Sequence, residues 1–324
     1  MLLASAFILL GLGLLVWGAD RFVIGAASLA RNLGVPPLLI GLTVVGFGTS
    51  APEILVAVTA SAQGNPGLAI GNAVGSNIAN IALILGTTAL VTPLIVHSDL
   101  LRGEYPVLLA ASIGASMLML DGTLGRGDGI ILLLGLVAAM GLLIRMSRRN
   151  HDPLAEEIEA EVPPDVSTGI AIVWFLIGLI TLVAGSRMLV WGAHEVAVML
   201  GISDLVIGLT IVSVGTSLPE LAASIMSALK NEQELAIGNV IGSNLWNLLA
   251  VLGMPALLAP GIIAPEVLYR DMLIMLGLTL ALFIMGRGQR EHGIINRIEG
   301  GLLLSCFIAY QGWLLWQSQG VTAV

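Results

Sequence analysis

Two glutamates stand at matching places inside long apolar stretches, and each of them directly follows a proline. Pro52 precedes Glu53, and Pro219 precedes Glu220. Each glutamate lies about 24 Å along its predicted helix at about 1.5 Å per residue, which is deep in a bilayer. A carboxylate at the centre of a membrane helix costs about 2.5–3.5 kcal/mol on insertion scales. Neither helix carries Lys or Arg at that depth, so both carboxylates require a bound cation or a proton.

Oxygen-bearing side chains accompany both glutamates. Threonine and serine lie four and three residues before each glutamate, on one helical face, and serine and asparagine recur later as i, i+4 pairs. Carboxylate, hydroxyl and amide oxygens suit hard cations such as Ca²⁺, Na⁺ or Mg²⁺ and argue against zinc or copper. The accompanying residues are Thr49, Ser50, Ser76 and Asn80 in the first half, and Thr216, Ser217, Ser243 and Asn247 in the second half.

The prolines are predicted to break their helices and to supply further oxygen. Pro52 cannot donate to the carbonyl of Gly48, and Pro219 cannot donate to that of Gly215. A carbonyl that is freed in lipid must find another partner. We expect a cation to be that partner, and the alternative is a packing kink in which water satisfies the carbonyl.

A ligand count favours Ca²⁺, which takes six to eight oxygens. Two bidentate glutamates supply four oxygens, and carbonyls in the regions of Thr49 and Thr216 supply two more. Two carboxylates also neutralise the ion, and the serines and asparagines remain to help form smaller Na⁺ sites nearby. The alternative is a pair of protonated glutamates that join helices by hydrogen bonds.

The chain repeats itself. LAIGNAVGSNIANIALILG (68–86) matches LAIGNVIGSNLWNLLAVLG (235–253) at 11 of 19 positions, and GFGTSAPE (46–53) matches SVGTSLPE (213–220). The offset is constant, since 220 − 53 and 243 − 76 both equal 167. The chain therefore arose by duplication.

Composition places the chain in a membrane. The 324 residues are 57% hydrophobic and 10% charged, whereas soluble domains carry about a quarter charged residues. The single cysteine, Cys306, is expected to be a buried apolar residue. We predict an all-α polytopic membrane protein whose ten transmembrane helices form two inverted five-helix repeats. The predicted helices cover approximately 1–33, 37–63, 67–92, 105–120, 128–146, 169–200, 204–229, 234–258, 271–286 and 298–317.

Three parts of the chain follow from this pattern: a first repeat (1–146), a short linker (147–168) and a second repeat (169–324). Odd-numbered loops hold ten of the 13 Lys and Arg residues. The positive-inside rule therefore places the linker in the cytoplasm and both termini outside. The linker, which is acidic from Glu156 to Asp165, is interpreted as a solvated connector, with a cation-sensing tail as the alternative.

The motifs GTSAPE (48–53), GNAVGSNIAN (71–80), GTSLPE (215–220) and GNVIGSNLWN (238–247) resemble the two α-repeats of the sodium/calcium exchanger family, within the cation/calcium antiporter superfamily. Chain length and the short linker are similar to those of bacterial and archaeal members. The resemblance implies a prokaryotic inner-membrane antiporter, not an enzyme, that exchanges Ca²⁺ for Na⁺ by alternating access. It implies no cofactor, and one chain is expected to suffice for transport.

The resemblance also implies residue roles. The central Ca²⁺ ligands would be Glu53 and Glu220, with oxygens from Thr49 and Thr216. Some members of the family carry aspartate where this chain has Asn80 and Asn247, so the number of Na⁺ ions and any K⁺ dependence stay open. The implied Na⁺ ligands are Gly46, Ser50, Ser76, Asn80, Ser213, Ser217, Ser243 and Asn247, together with both glutamates.

Other functions remain as alternatives. H⁺-driven export of Ca²⁺, or of another divalent cation, could use the same two glutamates, although a proton site does not need Ser76 and Ser243. An intramembrane hydrolase needs a water-activating dyad and a substrate cleft, and does not need inverted symmetry. A passive cation channel fits inverted repeats less well. Nucleic acid is excluded as a partner because the chain has no basic patch.

Overall fold

The computed structural model describes residues 2–35, 37–64, 66–97, 100, 102–147, 166–199, 213–287 and 292–320. The predicted linker lies outside the described residues over 148–165, and so does the first part of the predicted seventh helix. The first half contains α1 (Leu2–Asn32), α2 (Pro37–Ile40), a π-helix (Gly41–Val45), α3 (Gly46–Thr49), α4 (Ala51–Ala62), α5 (Pro66–Ala79), a π-helix (Asn80–Leu85), α6 (Gly86–Val91), β1 (Leu94–His97), α7 (Glu104–Leu118), β2 (Thr123–Leu124) and α8 (Arg126–Ser147).

The second half follows a similar order from α9 onward, with an additional π-helix before α14. Its elements are α9 (Thr168–Met199), α10 (Ser213–Thr216), α11 (Leu218–Leu229), α12 (Gln233–Trp246), a π-helix (Asn247–Val251), α13 (Gly253–Leu258), β3 (Gly261–Ile262), a π-helix (Val267–Met272), α14 (Leu273–Gly286), β4 (His292–Ile295) and α15 (Arg297–Gly320).

Helices that are long and apolar enough to cross a membrane confirm the membrane class. Within the described ranges there are six of them, or seven if the bent pair Gly41–Thr49 and Ala51–Ala62 counts as one span. Fewer helices than the predicted ten are long enough to be counted as spans. The helices α7 and α11 are apolar but shorter, and the stretch before Ser213 is not described. The helical membrane class is therefore confirmed, while the number of ten spans stays a prediction.

The two longest helices, α1 and α9, pack against each other in antiparallel fashion. They have 31 and 32 residues, which agrees with the overlong first and sixth helices predicted from the sequence. Glycines bring their backbones together, since a Cβ at Gly178 would lie 2.4 Å from the backbone nitrogen of Phe22. The rings of Phe22 and Phe175 stack at 4.8 Å beside this contact.

The centre of the molecule consists of α5 and α12, the helices that carry the long repeated motif. They belong to the two most buried of the candidate spans in the described ranges. Each continues into a π-helix, and these begin at Asn80 and Asn247, which are again 167 residues apart. Close packing is enforced at Gly242, where a Cβ would lie 2.4 Å from the carbonyl oxygen of Leu42.

If loops are numbered between successive predicted helices, odd-numbered loops contact odd-numbered loops, and even-numbered loops contact even-numbered loops. Strand β1 in the third loop pairs with β4 in the ninth, and β2 in the fourth loop pairs with β3 in the eighth. The backbone nitrogen of Ile95 also donates to Gln233, which joins the third loop to the seventh. These contacts agree with the prediction that the odd-numbered loops lie on one side of the membrane and the even-numbered loops on the other.

The outer surface of the described helices is apolar, as lipid contact requires. Leu9, Val137 and Trp316 are each at least 70% exposed. The expectation that Cys306 is buried is wrong, because this residue is exposed on α15. An apolar neighbourhood in the sequence does not distinguish a lipid-facing position from a core position.

Candidate functional site

Broken helices position both glutamates. The helix that carries the first GTSAPE motif breaks at Ser50 (φ −81°, ψ 0°), and its two parts, Gly41–Thr49 and α4, are bent by 49°. A matching break occurs at Ser217 (φ −90°, ψ 5°). Pro52 and Pro219 then lie at the start of α4 and α11, where a proline is compatible with a helix. Both prolines thus lie directly after the breaks, and their role in causing these breaks stays a prediction.

Glu53 and Glu220 each occupy the first turn of the helix that follows the break. A carboxylate near a helix N-terminus is stabilised by the helix dipole. The breaks therefore place two partly positive helix ends in the interior of the molecule, each with one carboxylate.

The two carboxylates are almost completely buried. Glu53 and Glu220 are 0% and 1% exposed, and they interact electrostatically with each other. None of their four oxygens has a hydrogen-bond partner that meets strict geometry within the described part of the chain. The side chain of Thr216 nevertheless interacts with Glu53, and that of Thr49 with Glu220, so each threonine faces the glutamate of the other half. Two buried carboxylates with so few donors require a cation or a proton.

Thr49 lies at the contact between the two halves. It is fully buried, and its hydroxyl lies 3.3 Å from that of Ser243 on α12. The same hydroxyl lies 3.2 Å from the carbonyl oxygen of Val45 and 3.1 Å from Oδ1 of Asn239. The structure thus brings together Thr49 and Ser243, which the sequence predicted only as members of separate motifs.

The asparagines of the two motifs also meet. Nδ2 of Asn80 donates to Oδ1 of Asn244 at 3.0 Å, while Oδ1 of Asn80 has no hydrogen-bond partner among the described residues. Neither side-chain polar atom of Asn247 has one there either. Asn80 and Asn247 open the π-helices that continue α5 and α12, and π-helical turns occur frequently at functional sites.

The remaining predicted ligands lie on the same broken or central helices. Ser50 and Ser217 stand at the breaks, and their buried hydroxyls have no partner within the described ranges. Ser76 is 3% exposed on α5. Gly46 is buried against α12, where a Cβ would lie 3.0 Å from the backbone of Gly242. Ser213 opens α10, and its side chain is not among the described ones.

One of the two freed carbonyls has a protein partner in the structure. The carbonyl oxygen of Gly215, which Pro219 cannot satisfy, accepts a hydrogen bond from the hydroxyl of Ser186 at 2.5 Å. Ser186 lies on α9, which packs against the break. This carbonyl therefore has a protein donor, while its second lone pair is left for another partner, and its coordination of a cation stays a prediction.

Sequence reasoning missed four residues that contact the site: Ser186, Ser224, Asn239 and Asn244. Asn239 stands in the repeated GN pair of the motif, opposite Asn72, so the repeat itself was a signal. Ser186 and Ser224 had no such signal in the sequence, because the first repeat has Ala19 and Ala57 at the equivalent positions.

Cation ligands beyond the two glutamates must come from amides, hydroxyls and carbonyls of the described residues. Among the described residues, no group of three or more His, Cys, Asp or Glu side chains is placed to hold a metal ion. The two glutamates are supplemented by oxygen atoms only, which suits a hard cation.

Comparison with known proteins finds a family model and relatives that cover most of the chain. The family described as "Sodium/calcium exchanger protein" matches residues 3–145 and 170–316. The chain is 48% identical to CaxA of Alkalimonas amylolytica, covering 98% of this chain and 100% of CaxA. It is 32% identical to the sodium/calcium exchanger MaX1 of Methanosarcina acetivorans, covering 94% and 96%. Its fold matches the sodium-calcium exchanger NCX_Mj with a TM-score of 0.83 at 34% identity, covering 97% of this chain and 99% of that one.

Proposed function

Because the chain belongs to the sodium/calcium exchanger family, we propose that it exports Ca²⁺ in exchange for Na⁺, by alternating access, with the Na⁺ gradient as the driving force. One observation carries the proposal: Glu53 and Glu220 are buried close to each other at the junction of the two repeats, and no cationic side chain of the described residues accompanies them.

The two glutamates are proposed as the central Ca²⁺ ligands. Their carboxylates cancel the charge of the ion, and the regions of Thr49 and Thr216 add hydroxyl or carbonyl oxygens toward the six to eight that Ca²⁺ takes. Each threonine already interacts with the glutamate of the opposite repeat. A single Ca²⁺ ion would therefore be held by both repeats at once.

Na⁺ is proposed to bind beside and between the same glutamates, so that Ca²⁺ and Na⁺ compete. The buried hydroxyls without partners in the described ranges and the unpartnered Oδ1 of Asn80 support this assignment. The proposed Na⁺ ligands are Ser50, Ser76, Asn80, Ser217, Ser243 and Asn247, with the backbone carbonyls of Gly46 and Ser213 and the carboxylates of Glu53 and Glu220.

The proposed architecture is ten transmembrane helices in two inverted five-helix repeats. The constant offset of 167 and the matching breaks at Ser50 and Ser217 support it. In this arrangement the α1–α9 pair slides past the broken helices and opens the site to one side at a time. The protein would lie in the prokaryotic inner membrane with both termini outside and the 147–168 linker in the cytoplasm, and a single chain holds the whole site.

Exchange of H⁺ for Ca²⁺ at the same two carboxylates is the alternative. Hydroxyls favour Na⁺, because a proton site does not need the Thr49–Ser243 contact, nor the hydroxyls of Ser50 and Ser217, which have no partner in the described part of the chain.

Transport by the purified protein in lipid vesicles separates the two. We expect an imposed Na⁺ gradient to drive ⁴⁵Ca²⁺ uptake at constant pH, and a pH gradient alone to drive none. Uptake that follows only the pH gradient would overturn Na⁺ coupling.

A further inference from the structure

A hydrogen-bonded network on α12 joins the two halves of the site through Asn239. Its Oδ1 accepts from the hydroxyl of Thr49 at 3.1 Å. Its Nδ2 donates to the hydroxyl of Ser224 at 2.9 Å and to the backbone carbonyl of Glu220 at 3.3 Å. Asn239 and Ser224 are 1% and 0% exposed. A single amide thus contacts a ligand-bearing segment from each repeat.

The Glu220 carbonyl determines which way this amide points. A backbone carbonyl can only accept, so the nitrogen of Asn239 must face Glu220 and Ser224, and the oxygen must face Thr49. Thr49 has one proton, for which the Oδ1 of Asn239 at 3.1 Å and the carbonyl of Val45 at 3.2 Å compete, and donation to Asn239 leaves its lone pairs for a cation. The network therefore sets both the orientation of the Thr49 hydroxyl and its distance from the helix that carries Glu220.

The first repeat differs at this place. The offset of 167 puts Ala57 opposite Ser224 and Asn72 opposite Asn239. Ala57 has no hydroxyl, and Nδ2 of Asn72 has no hydrogen-bond partner among the residues that the structure describes. The hydrogen bond between the Asn239 amide and the Ser224 hydroxyl is thus a feature of the second repeat, and it makes the site asymmetric.

We propose that Asn239, oriented by Ser224, is a positioning residue for Ca²⁺ transport that fixes Thr49 relative to Glu220 and thereby favours Ca²⁺ over larger divalent cations. The inference rests on the proposed function. A cavity held at the Ca²⁺–oxygen distances of about 2.3–2.6 Å disfavours Sr²⁺, and a loosened network would tolerate it better.

Ser224→Ala tests this directly, because alanine already occupies the equivalent position in the first repeat. The full chain is reconstituted in vesicles, and Na⁺-driven ⁴⁵Ca²⁺ uptake is measured with and without competing Sr²⁺. We expect the KM for Ca²⁺ to rise about fivefold, as for the loss of one buried hydrogen bond, with Vmax nearly unchanged. The preference for Ca²⁺ over Sr²⁺ should fall, and Ser224→Thr, which keeps the hydroxyl, should restore both values.

Ser112→Ala is the matched control. Ser112 is also a buried serine, but its hydroxyl bonds to the carbonyl of Leu108 within its own helix, α7. This variant should leave KM and the Ca²⁺/Sr²⁺ preference unchanged. An equal change in Ser112→Ala and Ser224→Ala would show a merely structural effect and overturn the inference.

Failure of the inference and failure of the proposed function give different results. If the wild type exchanges Ca²⁺ for Na⁺ and Ser224→Ala has the wild-type KM and selectivity, the positioning role is wrong and the function stands. If the wild type shows no Na⁺-driven uptake, the function is wrong. Equilibrium ⁴⁵Ca²⁺ binding to the purified proteins then decides the positioning role by the same fivefold criterion.

Discussion

The hydroxyl of Ser186 lies 2.5 Å from the carbonyl oxygen of Gly215. This hydrogen bond joins α9, one of the two long paired helices, to the helix break that precedes Glu220. The bond is buried, since Ser186 is 6% exposed, and the first repeat has Ala19 at the position of Ser186. The paired helices are therefore tied to the second half of the site by a polar contact that the first repeat does not encode.

Ser186→Ala should weaken this tie. The carbonyl of Gly215 would be left unsatisfied, which costs about 1–3 kcal/mol when the group is buried. We expect a lower thermal unfolding midpoint in detergent and a changed maximal rate of ⁴⁵Ca²⁺ exchange. An unfolding midpoint and a maximal rate both equal to those of the wild type would show that the contact has no such role.

Gly242→Ala should disrupt the packing at the centre of the molecule. The added Cβ would lie 2.4 Å from the carbonyl oxygen of Leu42, and a backbone atom cannot move aside as a flexible side chain can. Overpacking of this kind costs about 1–3 kcal/mol or more. We expect a lower thermal unfolding midpoint and loss of exchange.

Gly71→Ala is the control for that substitution. Gly71 lies in the other central helix, is exposed, and has open space where the Cβ of an alanine would lie. Alanine also favours a helix over glycine, so the variant should be at least as stable as the wild type. Equal unfolding midpoints for the two variants would argue against the close contact at Gly242.

Glu232 should make stability depend on pH. It lies between α11 and α12, outside the membrane spans, and burial raises its pKa above the ordinary 4.5, although Arg31 lowers it and Glu234 adds to the rise. The unfolded chain loses this proton near pH 4.5, whereas the folded protein keeps it to higher pH. The contribution to stability is therefore complete below pH 4.5 and is lost as the pH rises through the raised pKa.

Glu232→Gln keeps the side chain neutral at every pH and should remove this dependence. We expect the variant to unfold at a higher temperature than the wild type at neutral pH, with the difference vanishing near pH 4.5. Glu266→Gln, a substitution of an exposed glutamate, should follow the wild-type curve. Parallel curves for the wild type and Glu232→Gln would refute the assignment.

The sequence predicted much of this site because the duplication marks it twice. A polar residue in a membrane helix is conspicuous, and its recurrence at an offset of 167 identified Glu53, Thr49 and Asn80 with their counterparts. The same patterns predicted the long helices α1 and α9. Neither conclusion required a contact between distant parts of the chain.

What the sequence could not predict depends on such contacts. Thr49 meets Asn239 because α3 packs against α12, and Asn80 meets Asn244 because the π-helix after α5 also packs against α12. The sequence contains many serines, and the first repeat has no serine at the positions equivalent to Ser186 and Ser224, so no pattern distinguished these two. The expectation for Cys306 was wrong for a related reason, since lipid-facing and buried positions have similar compositions in a membrane.

The most direct test of the central claim is Na⁺-driven ⁴⁵Ca²⁺ uptake by Glu53→Gln compared with the wild type, in vesicles of the same composition. Glutamine keeps the shape of the side chain and removes the charge that would balance the cation. We predict that the wild type takes up ⁴⁵Ca²⁺ only while the Na⁺ gradient lasts and that Glu53→Gln shows no exchange. Exchange by Glu53→Gln at the wild-type rate would contradict the account.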